Sequence, residues 1–327
     1  MKSSSLNWTS LIGYEIESHA IEKLIEEESL PPILLFHGRE GIAKSLFVAK
    51  VCSYLVCEQG KACGLCSSCV QLKNDCYPNL LFFDASTKQI SGQEIKSIKD
   101  HLLTLGGQKS STHKYKSSRL LFIKDVENLS TQSINKLLKI FEELPSHSYI
   151  FLSTSCRFSL LPTLRSRCVE RLLMPPSREQ SLDFLNSNHS GATEDILNKA
   201  DKEKAKELLE LSRGSIGLAL KWLKDKSSSY KLIEIFTKQA FVDSYKKNHD
   251  LVDQIKKDKS YSLEDILLAK EIALNKVLKD SVLNEENSNQ QKILSKKRRE
   301  LKKIKDIVIN KKIKLNKAFV LESLLLV

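Results

Sequence analysis

In the first half of the chain, short apolar runs alternate with stretches in which apolar residues recur three and four apart. The runs are Ile33–Phe36, Leu80–Asp84, Leu120–Lys124, Tyr149–Thr154 and Val169–Leu173. Each has strand length, and several end on a small or polar residue, where α/β proteins place ligand chemistry. Between the third and fourth runs, Gln132–Phe141 sets Ile134, Leu137, Leu138 and Phe141 at helical spacing. This alternation predicts a five-stranded parallel sheet covered by helices, over residues 1–174.

Met174-Pro175-Pro176-Ser177 interrupts the alternation. Arg178–Leu223 then reads as several helices with a turn at Arg213-Gly214-Ser215, and Lys224–Ser229 as a second linker. From Tyr230 to Val327 there is neither Gly nor Pro, and Leu294, Leu301, Ile304 and Val308 share one helical face opposite most of the lysines. The expected organisation is an α/β domain (1–174), a small helical domain (175–224) and an all-α C-terminal domain (225–327).

Composition narrows the class. No window approaches the roughly 18 unbroken apolar residues of a membrane span, and Met1–Thr9 is too polar for a secretory signal. A cytoplasmic protein without a membrane partner is expected. Net charge is +12, and Lys292–Lys317 alone carries twelve Lys/Arg against Glu300 and Asp306. A basic face of this kind suits an acidic partner, nucleic acid or simple solvation, but no aromatic interleaves it for base stacking.

The first strand runs into Gly38-Arg39-Glu40-Gly41-Ile42-Ala43-Lys44-Ser45, in the strand–turn–helix setting of a phosphate-binding loop. In such loops glycines let backbone N–H groups face the phosphates, the Lys reaches the outer ones and the Ser holds magnesium. Ala43 replaces the glycine before the lysine, so nucleotide binding at Gly38, Gly41, Lys44 and Ser45 is left open. The third strand should end on a metal-organising Asp and a water-polarising Glu, but Lys124-Asp125 stands there. A lysine at that point repels magnesium, and Asp84 is the obvious substitute acid. Hydrolysis by this chain is therefore not expected.

Five of the eight cysteines fall between Cys57 and Cys76. Cys57-x5-Cys63-x2-Cys66-x2-Cys69 offers four thiolates, enough to close a tetrahedral zinc shell with no open position, hence a structural site. Cys76 is a substitute ligand, and an iron–sulfur cluster is the second choice of cargo. Cys52, Cys156 and Cys168 are expected as small buried hydrophobes.

Asn135-Lys136-Leu137-Leu138-Lys139 leading to Glu142-Glu143-Leu144-Pro145, Ser153-Thr154 at a strand end, and Leu164-Arg165-Ser166-Arg167-Cys168 follow the loop and the cysteines. Together they resemble the bacterial clamp-loader AAA+ family, through about Leu220. In that family the first segment typically reads NALLKxLEEPP, the second is where the sensor-1 polar residue stands, here Thr154, and the third is the SRC motif. Lys317–Leu325 also resembles the family's last collar helix. Active members carry an intact loop, an Asp-Glu pair and an arginine in a Gly-Ser-x-Arg context; here Ala43, Lys124-Asp125 and Gly214-Ser215-Ile216-Gly217 stand instead.

The resemblance is to the family's delta-prime type. It implies a non-catalytic stator in a DNA polymerase III holoenzyme, with a helical lid at 175–224 and a collar at 225–327. It also implies Arg167 as an arginine finger acting in trans, with Arg165 as the rival. Implied partners are clamp-loader ATPase subunits, a clamp-opening subunit, the sliding clamp and primed DNA. Two other readings share much of this pattern: an ATP-hydrolysing AAA+ motor subunit, and a zinc-containing DNA-binding protein.

Overall fold

The computed structural model describes residues 11–103, 115, 118–186, 205–206, 208–210, 212, 214–224, 269–273 and 299. Five parallel strands form one sheet: β1 (Ile33–His37), β2 (Leu80–Asp84), β3 (Arg119–Lys124), β4 (Ser148–Thr154) and β5 (Val169–Leu172), in the order β2-β3-β4-β1-β5. Every expected run is a strand, with ends displaced by a residue at most. His37, Arg119 and Ser148 join the ladder through their backbones although their side chains are polar. Leu173 falls outside β5, yet its N–H still donates to the His37 carbonyl at 2.8 Å.

The helices around the sheet are α1 (Glu15–Glu26), α2 (Lys44–Val56), α3 (Ser67–Lys73), α4 (Gly92–Leu103), α5 (Thr131–Glu142), α6 (Pro162–Arg165) and α7 (Arg178–Asn186). Strand side chains alternate between two buried faces, as the two-residue period requires. Leu34, Phe36, Leu120, Phe122, Tyr149 and Phe151 pack with α1, α2 and α3. Ile33, Leu35, Leu121, Ile123, Ile150 and Leu152 pack with α4 and α5. A sheet buried on both sides explains why its strands read as continuous apolar runs. On the first face, Phe36 meets Phe47 of α2 with ring centroids 5.3 Å apart.

The helix expected at Gln132–Phe141 is α5, one residue longer at each end. Ser130 caps it by accepting from the Ser133 N–H at 3.1 Å, and Ile134, Leu137, Leu138, Ile140 and Phe141 turn inward.

The chain forms two compact units. The first comprises Met1–Asp195 with Gly214–Gly217, the second Ile196–Arg213 with Leu218–Val327. A further helix, α8 (Ile216–Lys224), begins in the first. In the second unit Leu208, Leu209, Leu218 and Trp222 are buried, as are Ala269, Ile272 and Ala273. Most of the expected C-terminal domain lies outside the described residues, including the face of Leu294, Leu301, Ile304 and Val308, the collar-like helix Lys317–Leu325 and all of the basic run but Arg299. Among the described residues no helix is long and apolar enough to cross a membrane.

Candidate functional site

Gly38 to Ala43 join β1 to α2 at the carboxyl end of the sheet, where open α/β proteins bind ligands. Gly38 cannot be larger, because a Cβ there would lie 2.4 Å from the Leu173 carbonyl oxygen. Gly41 has φ +75° and Ala43 φ +64°, so the alanine takes a left-handed conformation that a Cβ penalises by about 1–2 kcal/mol. The loop keeps its path at that cost.

Every carbonyl from Gly38 to Ile42 accepts a hydrogen bond. Lys44 Nζ donates to those of Gly38 (3.0 Å) and Arg39 (2.8 Å), and to Ser155 Oγ (2.8 Å). Ser215 Oγ donates to the Glu40 carbonyl at 2.8 Å, the Gly217 N–H to Gly41 at 2.9 Å, and the Tyr14 hydroxyl to Ile42. The loop therefore holds its shape through protein contacts alone. Burial pulls the Lys44 pKa down, against nearby Asp125, Glu127 and Glu40. Ser45 lies half-buried in the first turn of α2. Thr154 is fully buried at the end of β4, and its Oγ1 accepts from the Cys156 N–H at 3.1 Å.

Gly217 stands where the resemblance leads one to expect an arginine in an active subunit. A Cβ at this position would sit 2.6 Å from the Gly41 carbonyl oxygen. The glycine is thus a requirement of close approach and not only a missing side chain. Gly217→Arg should create no nucleotide sensor; overpacking should instead lower stability by about 1–3 kcal/mol. Thermal melting of the variant checks this, an unchanged midpoint counting against it.

At the end of β3, Lys124 Nζ lies 2.7 Å from Asp84 Oδ2 and 3.7 Å from Asp125 Oδ2. The substitute acid is thereby committed to the lysine. Burial alone would raise the Asp84 pKa, but bonds from Lys124 and Ser86 outweigh it and hold the carboxyl below its usual value. Burial raises Asp125, and neighbouring Glu127 adds to the effect. A depressed Asp84 contributes stability at neutral pH that is lost as pH falls through its folded value. Lys124→Met should move the Asp84 titration midpoint upward by NMR and flatten the part of the acid-side fall in stability that Asp84 contributes.

The four cysteines converge from two helix ends. Cys57 follows α2, Cys66 precedes α3 and Cys69 lies within it, while Gly60, Ala62 and Gly64 at positive φ fold the intervening loop back. Their sulfurs all lie within 4.8 Å of one another. A tetrahedral ion at about 2.3 Å from each sulfur would set them about 3.8 Å apart, so the donors fit a closed metal shell. N–H groups of Gln59 and Cys63 point at Cys57 Sγ, each at 3.4 Å. Burial raises the Cys57 thiol, but these amides and that of Lys61 win, lowering its pKa to about 6. Burial pushes Cys69 up. Cys76 is exposed and outside the cluster, its thiol donating to the Asn74 carbonyl at 3.1 Å. Cys52 is a core residue as expected, but Cys156, in the connection after β4, and Cys168, just after α6, are only part-buried.

Arg167 lies between α6 and β5, its side chain 37% exposed. Its Nη1 donates to the Thr163 carbonyl at 3.0 Å and its Nη2 to Glu142. Arg165 is bonded through Nε to Glu170 at 2.8 Å. The loop and the Lys124 cluster therefore share the carboxyl end of the sheet, while the cysteines form a separate centre. Ser155 is a contributor that no local motif announces, while Glu142 and Ser215 fall in segments quoted above without these contacts being foreseen.

A family model described as "DNA polymerase III, delta subunit" matches residues 15–176. The Escherichia coli (strain K12) DNA polymerase III subunit delta' is 28% identical over 195 residues, 57% of this chain and 53% of that protein. The Haemophilus influenzae delta' subunit is 25% identical over 235 residues, 68% of this chain and 70% of that protein. The Mycoplasma genitalium subunit gamma/tau is 26% identical over 222 residues, 66% of this chain and 35% of that protein. The chain thus spans about half the length of the Escherichia coli relative, 53%, and less of the gamma/tau protein. These matches, over the part of the chain they cover, support membership of the DNA polymerase III clamp-loader family.

Proposed function

We propose that this chain is a delta-prime-type stator of the clamp loader: it turns over no ATP itself and lends Arg167 to the ATP site of a neighbouring subunit. The observation that carries the reading is Lys124 at the end of β3, its ammonium 2.7 Å from Asp84. In phosphoryl transfer an Asp near this point organises magnesium, and the metal neutralises the charge developing on the phosphates. Here a protein cation already occupies the nearest carboxylate, so a metal would meet repulsion and a depleted ligand set. Lys44 adds to this, because its ammonium already serves two loop carbonyls and Ser155.

In this reading the chain assembles with ATPase subunits and a clamp-opening subunit in the cytoplasm, through residues 225–327 as a collar, with 175–224 as the lid. The assembly loads a sliding clamp onto primed DNA, which the chain meets through the complex. The ion in the Cys57, Cys63, Cys66 and Cys69 shell is zinc, in a structural role. Gly38, Gly41, Lys44, Ser45 and Thr154 remain as a nucleotide-type site without turnover.

Phosphate release by the isolated chain tests the reading directly. With ATP, magnesium, clamp and primed DNA it should stay at background, whereas the reconstituted loader should turn over at a rate of roughly 1 per second or more. Turnover by the isolated chain would make it a motor subunit. Tight DNA binding by the chain alone, falling steeply with salt, would make it a DNA-binding protein instead.

A further inference from the structure

Three arginines crowd the segment between β4 and β5, and two carboxylates sort them. Glu170 takes Arg165 at 2.8 Å and Arg157 at 2.9 Å. Arg167 is left to other acceptors: the Thr163 carbonyl at 3.0 Å and the carboxylate of Glu142.

Both acceptors stand on fixed ground. Thr163 lies in α6, and the turn that follows is built by the Arg167 N–H on the Leu164 carbonyl and the Cys168 N–H on that of Arg165, each at 3.2 Å. Leu164 is buried, which anchors this turn in the core. Glu142 is the last residue of α5, whose inner face is packed by Ile134, Leu137, Leu138 and Phe141. A guanidinium is planar with its donors in a rigid fork, so two acceptors set its direction as well as its place. The hold is nevertheless exchangeable. The side chains are 37% and 52% exposed, and exposed ion pairs of this kind are weak.

We propose that Glu142 is a positioning residue: it presents the Arg167 guanidinium until the phosphate oxygens of a neighbouring subunit's nucleotide displace its carboxylate. The proposal rests on the reading of Arg167 as a finger acting in trans. A nucleoside triphosphate carries more negative charge than one carboxylate, so the exchange runs toward the phosphate, and Glu142 is released to water. Glu142 itself touches neither nucleotide nor reacting atoms. Without it Arg167 keeps a single carbonyl acceptor, and the fork loses its direction.

The test is ATP hydrolysis by the reconstituted loader, stimulated by clamp and primed DNA, with this chain varied. Glu142→Ala should lower kcat about three- to tenfold, the scale of a misplaced catalytic group, with KM for ATP little changed. Glu142→Gln keeps an acceptor oxygen and should recover at least half of that loss. Glu142→Ala/Arg167→Ala should be no slower than Arg167→Ala, an equality that a merely structural role for Glu142 would not produce. Glu142→Asp retains the charge on a shorter arm and should fall between wild type and Glu142→Ala. Wild-type rates in Glu142→Ala beside a slow Arg167→Ala would overturn the proposal, as would a double variant slower than Arg167→Ala. A full rate in Arg167→Ala would instead remove the finger reading itself, a separate and recognisable result.

Discussion

Exchanging Cys69 for serine should strip the chain of its metal and lower the thermal midpoint of the sheet-bearing unit by about 10 °C, the shift of a loss near 3–4 kcal/mol in a unit of this size. Cys57 closes α2, Cys69 sits wholly buried in α3, and both belong to the apolar cluster on one face of the sheet. One ion bridging them would staple two helices that otherwise meet through side-chain packing. The loop between them holds Gly60, Ala62 and Gly64 in left-handed conformations, and Ala62 does so despite its Cβ. Without metal that loop keeps the Gly60 N–H to Cys57 carbonyl bond at 3.1 Å and weak N–H to sulfur bonds at 3.4 Å. Structural zinc carries about 10–16 kcal/mol in small zinc-dependent peptides, which have no other core. This unit has a large core of its own, so a fraction of that is expected and the sheet should survive. Metal analysis should find one equivalent of zinc in the parent chain and none in the variant. A chelator should bring the parent midpoint down to that of Cys69→Ser. Equal midpoints in all three samples would mean that the four thiols hold no structural ion.

Residues differ in how far their roles can be read from the chain, and the difference is physical. Ile33–Phe36 and Tyr149–Leu152 announce strands because both faces of the sheet are covered and no charged position interrupts the run. Their exact ends do not, since His37, Arg119 and Ser148 pair through backbone groups that every residue type possesses. The thiol cluster was legible because metal-binding turns require short fixed spacings. Ser155 was not: it reaches Lys44 across 111 residues, and a single serine carries no periodic signal; Ser215 stood in a quoted segment, but its reach to Glu40 across 175 residues was not legible. Gly217 was legible only as an absent arginine, whereas the structure gives the glycine a positive reason in the approach of the Gly41 carbonyl. Cys156 and Cys168 looked like core residues by type, and their places in the connections after β4 and after α6 left them part-buried. Lys124 is the opposite case. Its charge at a strand end was plain in the sequence, and its 2.7 Å contact supplies the partner, Asp84, that spacing alone had offered as a metal ligand.

Arg167→Ala should leave the loader assembled and slow its clamp- and DNA-stimulated ATP hydrolysis about tenfold or more. A guanidinium placed against a transferring phosphoryl group is worth about 10³–10⁵ at the site it serves. The steady-state fall is smaller wherever other sites continue to fire, and approaches the full value where all must fire in turn. Assembly should survive because, among the described residues, the Arg167 guanidinium bonds the Thr163 carbonyl and an exposed carboxylate, and its loss opens no cavity in the core. Arg167→Lys separates charge from geometry. Lysine keeps the positive charge but not the two-donor fork, so it should recover part of the rate and none of the bidentate specificity. Arg165→Ala is the needed contrast, since that side chain is committed to Glu170 at 2.8 Å. It should disturb the turn after α6 and lower stability more than turnover. A loader slowed by Arg165→Ala with an unchanged melting point, beside an Arg167→Ala loader at full rate, would transfer the finger to Arg165 and leave Arg167 as a surface ion pair.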